Sequence, residues 1–183
     1  DATQRFTNRV GPSYQPGSGE IRGQTAPMLL GQQLGLGPQT PSTSKIYQDQ
    51  GWADGNDWAV GGYTTSQIYD SITAVNGSVV AGQRTKNGYL ISTGGRADPN
   101  ALYYVNGGGN DFLQGQIFSP ATAQSSAGRL VDSVEALQGA GARYIMVSLL
   151  PDVGSTPTLG GGNAFVSALV GNYNTELVRQ LRG

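Results

Sequence analysis

The amino-acid sequence predicts an α/β fold, a three-layer α/β/α sandwich around a mostly parallel sheet. Three observations predict it. The second half of the chain alternates strand, helix, strand and helix, joined by short glycine connections. The strand segments are solid apolar runs instead of alternating ones, as when helices cover both faces of a sheet. Two glycine clusters, Gly61-Gly62 and Gly107–Gly109, follow apolar runs directly, and in open parallel sheets functional groups gather beyond the carboxyl ends of strands.

The elements follow in order. Residues 10–24, rich in Gly, Ser, Pro and Gln, read as loop. Thr25 can cap a short helix with Pro27 in its first turn and Met28, Leu29, Leu30 and Leu34 as apolar positions, stopped by Gly35 and Gly37. Pro38–Lys45 is a second loop. Trp58-Ala-Val60 is expected as a strand ending at Gly61-Gly62. Thr64 or Thr65 then caps a helix reaching Ala74, with Ile68, Tyr69 and Ile72 on one face. In Val79–Ser92 the dipeptide Asn87-Gly88 suggests a hairpin turn or an irregular excursion.

Leu102–Val105 is a strand of aromatic and β-branched residues. Ala123–Gln138 is an amphipathic helix, with Ala127, Leu130, Val131, Val134 and Leu137 on its apolar side. Arg143–Leu150 is expected as a buried strand stopped by Pro151. Asn163–Leu181 is a helix with Phe165, Leu169, Tyr173 and Leu177 spaced by four. No internal repeat is visible.

Composition narrows the function classes. At 183 residues the chain fits one domain of ordinary size, expected to span residues 1–183. Its 29 glycines are roughly twice the ordinary share of about 7%, and they are not periodic. Net charge is -1, and Lys45 and Lys86 stand beside nine scattered arginines, so there is no basic stripe and no nucleic-acid partner is expected. No apolar stretch approaches the roughly 20 residues of a membrane-spanning helix. The polar start Asp1–Arg5 shows no cleavable signal. With no cysteine, disulfides and thiolate-bound metals are excluded. No cofactor and no metal are expected.

One segment points to chemistry. Ala101-Leu-Tyr-Tyr-Val-Asn-Gly-Gly-Gly-Asn-Asp111 is an apolar run that ends in three glycines and presents an Asn-Asp pair. Acyl transfer develops a negative oxygen, which enzymes stabilise with fixed donors from backbone N–H groups or an Asn amide. Glycine lets a backbone N–H approach closely because no Cβ intervenes. Gly62 and Asn110 supply two such donors if their segments are neighbours. The alternative is that both clusters are tight turns and Asn110 caps a helix. The chain also has no histidine, so it is expected to hold only part of any Ser-His-Asp site.

Other candidates carry less. Ser42-Thr-Ser-Lys45 has a Ser-x-x-Lys spacing but sits in a Pro/Ser/Thr loop instead of at a helix start. Ser18 has no preceding strand and no nearby base. Asp152 follows a strand end, yet without a histidine a turn or capping role is expected. Gly107–Asp111 is a single copy of a glycine-rich pattern without the period of a β-helix. Asp49, Asp54 and Asp57 do not have EF-hand spacing. Tyr103 and Tyr104 read as strand core and cover.

Three segments together, Arg5-Phe-Thr-Asn-Arg-Val-Gly-Pro12, Ala53–Thr65 with its Trp-Ala-Val-Gly-Gly, and Asp98–Gly115 with its Gly-Gly-Asn-Asp, resemble the GDSL (SGNH) esterase/lipase family. Gly128–Gly154 extends the likeness, which is greatest to passenger domains of bacterial autotransporter esterases. The resemblance implies a flavodoxin-like, SGNH-hydrolase sandwich, incomplete at both ends. It implies hydrolysis of carboxylic esters, with an ester or lipid-like substrate. Gly62 matches the glycine donor of the oxyanion hole, with Gly61 the lesser candidate, and Asn110 matches the asparagine donor. The family's Gly-Asp-Ser block would lie before Asp1 and its Asp-x-x-His block is missing too, so the chain by itself is expected to be inactive. The resemblance further implies an extracytoplasmic location, at the cell surface or secreted, and is compatible with tethering through a membrane barrel outside this sequence. The competing expectation is a non-catalytic surface-binding or adhesion module on the same fold.

Overall fold

Thr25 holds extended backbone and Pro27 supplies a preset φ, so the chain enters helix α1 (Ala26–Gln33) where the sequence predicts it. Gly35, at φ +67°, follows its last turn. The computed structural model describes residues 25–37, 39, 42, 55–78 and 85–183. They divide into two compact units, the first holding the described residues up to Gly61 with Thr85, and the second residues 62–78 with 86–183. In the first unit Gln39 donates its amide to the Pro27 carbonyl at 3.0 Å and steadies the start of α1.

The second unit begins with α2 (Thr65–Thr73). Its capping residue Thr64 donates its N–H to Gln67 Oε1 at 2.9 Å, half of a capping box. Then come the short α3 (Tyr89–Ser92), strand β1 (Leu102–Val105), the five-residue α4 (Gly109–Leu113) and the long α5 (Pro120–Gly139). Strand β2 (Tyr144–Val147) and two 3-10 turns (Val153–Ser155 and Pro157–Leu159) lead to α6 (Ala164–Arg182). β1 and β2 pair in parallel, with Leu102 opposite Tyr144 and Val105 opposite Val147. The crossover between them is α4 and α5, as a parallel connection requires.

α5 starts at Ser119, whose hydroxyl accepts from the Thr122 N–H at 3.2 Å, with Pro120 in the first turn. α6 starts at Asn163, whose Oδ1 accepts from the Val166 N–H at 3.1 Å. The core lies where α5 meets α2 and α6. Leu130, Tyr173 and Leu177 have no exposed surface there, with Ala127, Val131, Leu137 and Leu169 around them. Burying one such leucine contributes about 1.5–3 kcal/mol.

Five expectations need correction. The sheet is small, two parallel strands among the described residues flanked by helices, and not the full three-layer sandwich. Trp58–Val60 is irregular instead of a strand, because the Asp57 carboxylate takes the Ala59 N–H at 2.9 Å in a local turn. Gly61-Gly62 therefore ends an irregular run and not a strand. Asn87-Gly88 is not a hairpin turn: an antiparallel bridge joins Ser78 to Lys86, Asn87 Oδ1 accepts from the Asn76 N–H at 3.0 Å, and Gly88 leads into α3. The tip at 79–84 lies outside the described residues.

The run 143–150 forms a strand only over Tyr144–Val147, and it is not fully buried, with Tyr144 60% and Met146 42% exposed. It stops where its partner β1 ends at Val105, whose carbonyl accepts the last ladder bond from the Ser148 N–H at 3.2 Å, and beyond that point Asn174 of α6 engages Leu150 like a neighbouring strand. Its Oδ1 accepts from the Leu150 N–H at 2.9 Å, and its Nδ2 donates to the Leu150 carbonyl at 2.8 Å. In α6 the spacing-by-four series is buried at Leu169, Tyr173 and Leu177, whereas Phe165 at its start is 60% exposed.

Candidate active site

The glycines after β1 bring the chain into the core and out again within three residues. A methyl group on Gly107 would lie 2.6 Å from Ile68 Cδ1, and one on Gly108 would lie 2.7 Å from Tyr173 Cζ. Gly108 also holds φ +103°, which side-chain-bearing residues rarely adopt. Tyr173 completes the fit by donating its hydroxyl to the Gly107 carbonyl at 3.2 Å. Burial, aided by the nearby Asp111 charge, pushes the pKa of that phenol up, so it stays protonated as a donor.

α4 follows at once and carries the polar residues of the site. Asn110 donates its amide to the Tyr63 carbonyl at 2.9 Å. Gln114, which caps α4 four residues later, donates its amide to the Gly62 carbonyl at 2.7 Å. Residues four apart share one helix face, so one face of α4 grips two consecutive carbonyls. Gly62 is exposed and sits at φ +88°, and its N–H has no acceptor among the described residues. Asn110 is half-buried. Its amide nitrogen carries two hydrogens, and the one not directed at Tyr63 has no acceptor among the described residues.

Asp111 turns the other way. Its carboxylate is 2% exposed. Oδ2 accepts from the Thr65 N–H at 3.0 Å, and Oδ1 accepts from the Thr65 and Ser126 hydroxyls, each at 2.7 Å. With both hydroxyl hydrogens directed at the carboxylate, the 3.2 Å approach of Thr65 Oγ1 to Ser126 Oγ is a contact and not a further bond. No cation pairs with Asp111 among the described residues. The three donors and the first turn of α2 take the place of a counter-ion. The network ties α2, α4 and α5 together beneath the Gly62–Tyr63 segment.

The structure thus brings the two predicted site residues side by side, since Asn110 bonds to the residue that follows Gly62. Asp152 is exposed and accepts from Ser167, Ser155 and the Gly154 N–H. Chiefly the Ser167 bond, then that of Ser155, lowers its pKa below the usual carboxylate value, and the aspartate works as a cap for the first 3-10 turn. Ser42 is buried, while Thr43–Lys45, Ser18, Asp49 and Asp54 lie outside the described residues. Tyr103 bonds Tyr89 through the hydroxyls at 2.8 Å and belongs to the packing of β1. No group of ligating side chains fit for a metal occurs among the described residues.

Sequence reasoning missed Gln114, Thr65 and Ser126. Two signals were present. Gln114 stands four positions after Asn110, and Ser126 interrupts an apolar helical stripe of Ala123, Ala127 and Leu130, which marks a buried partner.

The family model described as GDSL-like Lipase/Acylhydrolase matches residues 10–182. Esterase EstA of Pseudomonas aeruginosa is 61% identical over 98% of this chain, and so is Esterase EstA of Pseudomonas putida. Lipase 1 of Photorhabdus luminescens is 42% identical over 39% of the chain and 12% of its own length. The chain spans 30% of the length of the two EstA relatives. A family match over residues 10–182 means that the chain belongs to the GDSL-like lipase/acylhydrolase family.

Proposed function

We propose that this segment carries the oxyanion-stabilising part of a serine carboxylic-ester hydrolase. The observation that carries the reading is the Asn110 amide held at 2.9 Å from the Tyr63 carbonyl, next in the chain to the exposed Gly62, whose N–H has no acceptor among the described residues. A serine attacking an ester carbonyl turns it into a tetrahedral oxyanion. The Gly62 N–H and the second Asn110 hydrogen meet that oxygen as two neutral donors already in place. The nucleophile and the histidine base are assigned to the parts of the full-length protein that the 183 residues do not contain. The same reading takes the two-stranded sheet as part of a larger three-layer sandwich.

The EstA relatives are named esterases, which supports the ester-hydrolase class. Lipid-like esters are the proposed substrates. A cell-surface or secreted location, with the segment as an autotransporter passenger tethered through a barrel, is proposed on the resemblance and on the absence of cysteine. In the full-length protein, Asn110→Ala is expected to lower kcat on a p-nitrophenyl ester by about 10²–10³, with little change in the melting midpoint. An unchanged kcat would overturn the assignment.

The absence of histidine from these 183 residues favours a second reading, a surface-binding module that keeps the fold without the chemistry. Ester hydrolysis by the full-length protein separates the two, because only the enzyme turns over substrate.

A further inference from the structure

We propose that Gln114 is a positioning residue for ester hydrolysis, fixing the backbone of the oxyanion donor Gly62. The inference rests on the ester-hydrolase reading and adds to it a residue outside the donor set.

The argument begins with the freedom of the loop. Gly61 and Gly62 are consecutive glycines, and Gly62 at φ +88° lies in a region that glycine enters and leaves readily. Gly62 is exposed, and a methyl built on it would meet nothing within 4 Å, so packing does not hold it. A donor contributes to catalysis only when it already points at the site where charge develops. Something other than packing must therefore restrict this N–H.

The side-chain amides of Asn110 and of the α4 cap Gln114 limit it from the far side, by holding the two carbonyls that follow that N–H in the chain. Asn110 holds the carbonyl of Tyr63 at 2.9 Å, and Gln114 holds that of Gly62 at 2.7 Å. A bond to the Gly62 carbonyl fixes the peptide plane between Gly62 and Tyr63, and with it one of the two soft dihedrals of the glycine. The clamp spans 52 residues of sequence, so it also ties Gly62 to the end of the helix that carries Asn110. Gln114 directs its amide at the loop and not at the reacting atoms. Its effect passes through Gly62.

The test uses the full-length protein and a p-nitrophenyl ester. Gln114→Leu keeps the side-chain bulk and removes the donor. It is expected to lower kcat roughly tenfold, less than the loss of a donor itself, with KM within about twofold and the melting midpoint unchanged. Gln114→Lys restores an N–H donor of similar reach and is expected to recover most of the rate. An unchanged kcat in Gln114→Leu, with Asn110→Ala impaired, overturns this inference and leaves the oxyanion reading standing. Unchanged kcat in both variants overturns the oxyanion reading and this inference with it. A rate loss that comes with a lowered midpoint and no recovery in Gln114→Lys marks a merely structural role and also overturns the proposal, as does a raised KM at constant kcat.

Discussion

Asn110 and Asp111 are neighbours in the chain and serve two regions of opposite character. Asn110, with Gln114, works at a wet rim where each amide holds one backbone carbonyl. Asp111 works in a dry interior where one carboxylate, 2% exposed, gathers three donors. A helix turns about 100° per residue, so α4 needs no more than one step to face both. The difference teaches that an Asn-Asp pair is not one functional unit. The amide is held at the surface by a grip that leaves a hydrogen over, whereas the carboxylate is saturated and has no capacity left for a ligand.

Substitutions can break or sharpen this contrast, because interior changes should cost stability and rim changes should cost rate. The largest stability loss is expected for Gly108→Ala. It places a methyl 2.7 Å from Tyr173 Cζ and forces alanine to φ +103°. Strain and overpacking together cost about 4 kcal/mol, read as a lower urea midpoint. A loss below about 1 kcal/mol would show that the interior yields, and the contrast would blur.

Asp111→Ala comes next. It orphans the Thr65 N–H, while the Thr65 and Ser126 hydroxyls, already 3.2 Å apart, can bond each other. The expected loss is about 3 kcal/mol by the same measurement, smaller than three charge-assisted bonds would suggest because two donors re-pair. Asn110→Ala, by contrast, should shift stability by under about 1 kcal/mol, since its one bond is partly exposed.

The smallest effect is expected on α6, far along the sequence from the rim. Glu176 accepts from Arg179 and Gln180, which hold its carboxyl at about 2 against an ordinary 4.5. A depressed folded value means that these bonds stabilise fully above about pH 4.5 and are lost as pH falls towards about 2. The Glu176 side chain meets water, so the contribution is slight. The difference in melting midpoint between the unaltered protein and Glu176→Gln should shrink across that window. A constant difference would count against the assignment.

Much of the fold was legible because local patterns agreed with tertiary demands. β1 and the starts of α1, α2 and α6 stand within a few residues of the positions read at Leu102, Thr25, Thr64 and Asn163, and α5 starts at Pro120, three residues before the expected Ala123. Elements went astray where a distant partner or a competing side chain decided the outcome. Asp57 takes the Ala59 N–H and spoils a strand that the residues at 58–60 would suit. β2 ends where β1 runs out at Val105, and Asn174, 24 residues away, takes over the pairing of Leu150. For the site, glycine clusters and an asparagine showed which groups could meet, and the 2.9 Å bond from Asn110 to Tyr63 brings those segments together. The Thr65–Asp111–Ser126 network was not legible, because nothing local in a threonine at a helix start says that its partner lies 46 positions on.

The pairing of Asn174 with Leu150 has a consequence for how the chain tolerates change in length. A side-chain amide offers the same donor and acceptor as a peptide group, so α6 presents to Leu150 the pairing that a strand residue would. Residues 151–162 are thereby bracketed between that anchor and the Asn163 cap of α6. Changes of length at the exposed Gly160-Gly161 would be absorbed as loop, with sheet register and helix position kept by the two asparagines, whereas changes at Asp152 or Gly154 would break their bonds to Ser167 and Asn163.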